Sequence, residues 1–262
     1  MEPSIPWYEL EDGDGQLFDL CRARVLDGDP TTGAFAKFLL QGLTDPEYLR
    51  SLMEKRGLAS LADYVANRRV SSKLSIRVAD FGEIAAGRLL EAEEALHRPI
   101  EKLRYKFNRD WSPHLTDIFA VARDDNDEIV AFAYCEVKAG TTAPAPDVAA
   151  NAYQDLIKAW REKVPEILHF TSERLWEAHR QAEYEQLDRA IASSSSMPQI
   201  LRLVLVFDQN AWSDDSFDYL SDAIGVDGAS GSALKCYLVR RSELRALIED
   251  AYAEMAKLAQ AV

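Results

Sequence analysis

The stretch DIFAVARDDNDEIVAFAYCEVKAG, residues 117–140, decides the reading of this chain. Two apolar runs, DIFAVAR and EIVAFAYCEVK, flank the acidic turn DDND (124–127). Short β-prone runs on either side of an Asp/Asn turn predict a hairpin. Centring that hairpin near Asn126 sets Asp117 opposite Cys135–Glu136. Facing side chains lie ~5 Å apart, so the two carboxylates can share one cation. Lys138 is two residues beyond Glu136, and period two places both on the same face. Gly140 follows, so acid and amine reach a sheet edge together. Oxygen ligands suit Mg²⁺, a bound Mg²⁺ activates water and neutralises phosphate charge, and a lysine orients that water as an ammonium or deprotonates it as the free amine. The pattern therefore points to phosphodiester hydrolysis. Glu-x-Lys alone arises by chance, and an ordinary surface salt bridge is the alternative; it is the apolar setting that gives the motif weight.

Outward from the hairpin, a helix is expected over about Phe81 to Leu96, with Asp80 as N-cap and Pro99 closing it. KLRYKFN (102–108) alternates Leu103, Tyr105 and Phe107 with Lys102, Arg104 and Lys106. That alternation predicts a strand with one basic side, on which Lys102, Lys106 and Arg109 either contact phosphates or form a solvated face. A long helical stretch is expected from about Val148 to about Ile191, broken near Pro165, then a Ser193–Ser196 loop. ILRLVLVF (200–207) reads as a strand buried on both faces. A helix, the strand LKCYLV (234–239) and a final helix (242–261) complete a mixed α/β domain over 71–262, with helices flanking a central sheet. Residues 1–70 read as mostly helical, a cap or partner-docking region.

The 262 residues are 47% hydrophobic and 28% charged, a globular composition. No apolar run approaches the ~20 residues of a membrane span. The segment Met1–Asp12 has no basic residue before an apolar stretch and is not expected to be a signal peptide. Cys21, Cys135 and Cys236 stand far apart, which argues against a disulfide framework or a zinc site and suits a cytoplasmic setting. The net charge of −14 argues against unaided grip on nucleic acid, because phosphate neutralisation supplies most non-specific affinity. His97 and His114 show no ligand-pair spacing. Of the five tryptophans, Trp111, just before Asp117, is the candidate for base stacking.

The helix DFGEIAAGRLL (80–90), the strand pair from Asp117 to Glu136-Val137-Lys138, a following helix and a further apolar strand resemble the PD-(D/E)XK nuclease superfamily, although Thr116 stands where its name expects proline. The resemblance implies a restriction-endonuclease-like mixed sheet. It also implies metal binding by Asp117, Glu136 and the Val137 carbonyl, a further catalytic or metal-binding acid in Glu83, and a catalytic role for Lys138. GEIAAGRLL (82–90), KLRYKFNRDWSPHLTDIFAV (102–121), CEVKAG (135–140) and ANAYQDLIKAW (150–160) more closely resemble the HamA family, nuclease subunits of Hachiman antiphage defence. That implies an Mg²⁺-dependent DNase of low sequence specificity, with Mn²⁺ able to substitute, DNA and a HamB-like helicase as partners, and neither a membrane nor a small-molecule cofactor. Gln154 is a candidate contact to phosphate or metal water. A restriction-type or other defence nuclease of the same superfamily and a non-catalytic adaptor with the same fold are the alternatives.

Overall fold

The computed structural model describes residues 7–11, 17–56, 61–111, 115–227 and 234–261. His114 and most of the opening segment Met1–Asp12 lie outside the described residues. The chain forms a mixed α/β fold around one six-stranded sheet in the order β1-β2-β6-β5-β4-β3. The strands are β1 (Tyr8–Glu11), β2 (Asp19–Val25), β3 (Ile118–Arg123), β4 (Ile129–Gly140), β5 (Gln199–Asp208) and β6 (Leu234–Arg241). Its centre, β2-β6-β5-β4, is parallel, and antiparallel strands close both edges.

Parallel strands are buried on both faces, and the side chains of β5 show this directly. Leu201, Leu203, Leu205 and Phe207 face one apolar layer, whereas Val204 and Val206 face the other. The first layer is built from α5 (Val148–Glu162), α6 (Val164–Glu177), α7 (Gln181–Ala192) and α8 (Ser216–Asp227). The second comes from α1 (Asp29–Leu43), α4 (Leu74–Glu94) and α9 (Leu244–Ala261). Helices α2 (Pro46–Arg56) and α3 (Leu61–Tyr64), the latter running into a π-helical turn over Val65–Arg69, lead into α4.

The hairpin forms as its sequence predicts. Strand β3 pairs antiparallel with β4 from Ile118↔Cys135 to Arg123↔Ile129. The Asp124 carboxylate caps the turn by accepting the Asn126 and Glu128 amides, and Asp127 adopts a left-handed φ of 63°.

Several expectations are corrected. Residues 1–70, expected to be mostly helical, carry α1 to α3 and the π-helical turn but also contribute β1 and β2 to the sheet. Helix α4 begins at Leu74, seven residues before the expected start, and Asp80 is a buried mid-helix residue and not a cap. The expected basic strand at 102–108 is a 3-10 turn, Lys102–Tyr105, followed by a loop. The helical stretch after the hairpin breaks near Pro165 and again around Ala178–Arg180, where His179 has a φ of 57°. Among the described residues, no helix is long and apolar enough to cross a membrane.

One contact decides where α4 lies relative to β4. A Cβ built on Gly82 would fall 2.5 Å from the Ala139 Cβ. Only glycine lets the helix approach the strand end so closely, and its neighbour Glu83 is thereby brought beside the start of β3. Gly82→Ala is expected to destabilise the fold. The clash, typically about 1–3 kcal/mol, outweighs the ~1 kcal/mol that alanine gains over glycine in a helix. Urea denaturation checks this, and unchanged stability would show that the helix does not rest on the strand.

Candidate active site

Strand β3 stops at Ile118 while β4 continues to Gly140, paired beyond Cys135 with β5 alone. This overhang makes the site. The peptide N–H of Val137 finds no β3 backbone acceptor and donates to Asp117 Oδ2 at 2.9 Å. In a strand the N–H and C=O of one residue point to the same edge, so the Val137 carbonyl is directed towards Asp117 as well. Thr116, in the place where a proline was expected, is buried and donates its hydroxyl to the Cys135 carbonyl at 3.0 Å. That bond holds the segment just before Asp117 against β4.

Glu136 follows the alternation of β4 and lies on the same face as Phe132 and Tyr134. Its residue is 9% exposed. Burial, reinforced by the Asp117 charge and opposed by Lys138, pushes its pKa up to about 7. Lys138 Nζ lies 2.8 Å from Glu136 Oε1 and 2.8 Å from Asp155 Oδ2 on α5. Burial works against the charge of this ammonium, but Glu136 and Asp155 together hold its pKa above the usual lysine range. Lys138 is therefore a cation at neutral pH.

Glu83 comes from α4 on the other side of Asp117. Burial, with a smaller contribution from Asp117 and against the pull of Lys102, pushes its pKa up to about 8. Lys102 Nζ stands between the two acids, 3.1 Å from Glu83 Oε2 and 3.6 Å from Asp117 Oδ1, and donates to the Thr116 carbonyl at 3.1 Å. Glu83, Lys102, Asp117, Glu136 and Lys138 line one cleft of about 540 Å³, with Trp111, 62% exposed, at its mouth.

The other candidates are placed differently. Lys106 also borders the cleft, but its side chain is 1% exposed and bound to both carboxylate oxygens of Asp80 at 2.5 and 2.6 Å. Arg109 follows in the same loop, half-buried, and its carbonyl lies 3.4 Å from Lys106 Nζ. Gln154 is exposed on α5 and lines a separate groove with Asp222 and Val226. His97 bridges to Val121 through its backbone, covering the outer edge of β3. Asp155 went unforeseen, as did the central placement of Lys102. Asp155 is seventeen residues beyond Lys138, and no local spacing pairs them.

The donor set fits a hard divalent cation. Asp117, Glu136 and the Val137 carbonyl are oxygen donors, the chemistry that Mg²⁺ and Mn²⁺ take. Among the described residues no three Asp, Glu, His or Cys side chains converge as a metal cluster, and a third protein ligand beside Asp117 and Glu136 would have to be a main-chain oxygen. Two carboxylates beside a strand-edge carbonyl, with an ammonium fixed next to them, can hold a cation and orient a water or phosphate against it.

Compared with models of known families, the chain matches the HamA family over residues 6–255. No curated protein matches it.

Proposed function

The chain belongs to the HamA family, and on that premise we propose that it is a metal-dependent DNA nuclease, the effector subunit of a Hachiman antiphage defence complex that works with a helicase. The observation that carries the nuclease reading is the β4 overhang, where Asp117 caps the Val137 amide and Glu136 and Lys138 point into the same cleft. This is the arrangement expected of a PD-(D/E)XK centre. The net charge of −14 supports a division of labour in which the partner supplies much of the grip on DNA.

Asp117, Glu136 and the Val137 carbonyl would hold Mg²⁺, which when bound makes water a nucleophile at neutral pH and offsets charge on the phosphate. The protein's own contribution is positional. The Val137 amide fixes the Asp117 carboxylate through Oδ2, leaving Oδ1 directed into the cleft. Lys138, held between Glu136 and Asp155, is placed to orient the attacking water and the phosphate. Trp111 offers an aromatic face at the mouth, where a base of the nucleic acid can stack. Glu83 contributes through Lys102.

Calorimetric titration with Mn²⁺ tests the assignment. The wild-type chain should bind the ion, and Glu136→Gln should lose that binding with its fold intact. Glu136 must be ionised to act as a ligand, and its pKa lies near 7. Its protonated fraction rises as pH falls, so apparent Mn²⁺ affinity should drop about tenfold between pH 8 and pH 6. A pH-independent affinity would remove Glu136 from the ligand set. A silent wild-type titration would favour a non-catalytic adaptor.

A further inference from the structure

Resting on that reading of the site, we infer that Lys102 is a built-in cation that occupies the place of a second metal ion, so that the centre takes one divalent ion and not two. Three oxygens surround its ammonium: Glu83 Oε2 at 3.1 Å, the Thr116 carbonyl at 3.1 Å and Asp117 Oδ1 at 3.6 Å. The Thr116 carbonyl accepts one N–H of the ammonium, and the Glu83 and Asp117 carboxylates pair with its charge from the other sides. The side chains of Lys102 and Glu83 are only 10% and 13% exposed, so each charge depends on the other and not on water.

The backbone keeps Lys102 there. It opens the 3-10 turn Lys102–Tyr105, whose next residue, Leu103, is buried in the core. The Leu103 carbonyl accepts Arg69 Nη2 at 2.6 Å, and Arg104 Nε donates to the Gln41 carbonyl at 2.8 Å. The turn is thus tied to the helical layer immediately after Lys102. For Glu83 to bind a metal directly, this lysine would have to leave a pocket that the turn holds it in.

Charge leads to the same conclusion. Glu83, Asp117, Glu136 and Asp155 contribute four carboxylates, against the ammoniums of Lys102 and Lys138. With all of them ionised, as they are above pH 8, the cluster carries a charge of minus two, which one divalent ion closes. A second ion would leave the cluster positive, with a divalent charge beside the Lys102 ammonium. Lys102 touches protein oxygens alone, so it acts as a positioning residue: it fixes the Asp117 carboxylate and supplies permanent positive charge on the Glu83 side.

The test counts Mn²⁺ ions on the full chain, by calorimetry and by electron paramagnetic resonance of free Mn²⁺. The wild type should bind one ion, Lys102→Arg one and Lys102→Met two, because the neutral side chain leaves Glu83 and Asp117 open to a metal. One ion on a folded Lys102→Met chain, or two on the wild type, would overturn the inference. Should Lys102→Met fail to fold, Glu83→Gln decides: retention of one ion with less than a tenfold change in affinity supports the inference. A loss of a hundredfold or more would make Glu83 a ligand and overturn it. A wild type that binds no ion contradicts the metal-dependent reading itself, a result distinct from either of these.

Discussion

Lys138→Met should slow DNA cleavage by roughly 10²–10³-fold, the usual loss when one preorganised charged or hydrogen-bonding group is removed from a reacting centre. Mn²⁺ binding should survive, because Asp117, Glu136 and the Val137 carbonyl remain. The combination is informative. The ammonium is held 2.8 Å from both Glu136 and Asp155, and it is charged at neutral pH. If Lys138 served only as a salt-bridge partner, its loss would leave the rate nearly intact and would appear as a change in stability. Single-turnover cleavage measured beside a Mn²⁺ titration separates these outcomes. Asp155→Asn provides a graded control, since it removes one of the two carboxylates that orient Lys138 and should cost less than the lysine itself.

Lys106→Met should be the most destabilising neutral substitution around the site, at about 3–5 kcal/mol. Lys106 neutralises Asp80 inside α4, and both side chains are at most 5% exposed. Removing the ammonium leaves a buried carboxylate without its bonded counter-ion, on which the Lys102 and Arg69 charges act only through space. For a chain of this size that corresponds to a fall in Tm of roughly 6–20 °C. Burial already holds the Asp80 pKa above its ordinary value, against the pull of Lys106. The loss should therefore shrink at low pH, where Asp80 can take up a proton. Asp80→Asn combined with Lys106→Met should recover much of the stability, because no charge is then left unpaired. Denaturation of the two single variants and the double variant checks this. Additive losses would mean that the pair is not coupled.

What could be read along the chain was local. Apolar runs around an Asp-rich turn specify the β3–β4 hairpin, and period two aligns Glu136 with Lys138, so the register and the shared face follow from nearest neighbours. The continuous apolar run of β5 likewise carries its own burial on both faces. The failures share a different cause, which is a partner distant in sequence. The alternation of Leu103, Tyr105 and Phe107 reads as a strand. But the β3 edge it would have joined is covered by the His97–Val121 bridge, and Arg69 draws the Leu103 carbonyl into a 3-10 turn. Leu103 enters the core, Tyr105 packs edge-on against Phe170 and Phe107 is left exposed. Asp80 resembles a cap because an apolar run follows it, and it is buried mid-helix because Lys106, twenty-six residues on, neutralises it. Strand β2 pairs with β6 across more than two hundred residues, a relation that no local pattern encodes. The hinge of the candidate site, Lys102 between Glu83 and Asp117, likewise depends on three elements meeting.

Digestion of DNA by the intact chain, together with any subunit that co-purifies with it, is the most direct test of the central claim. Linear and circular duplex DNA would be incubated with Mg²⁺, with and without EDTA, beside a Glu136→Ala/Lys138→Ala chain of verified fold. The wild type should degrade DNA only when the metal is free, and the double variant should leave it intact. Degradation by the well-folded double variant at the wild-type rate, or by the wild type in excess EDTA, would contradict the account.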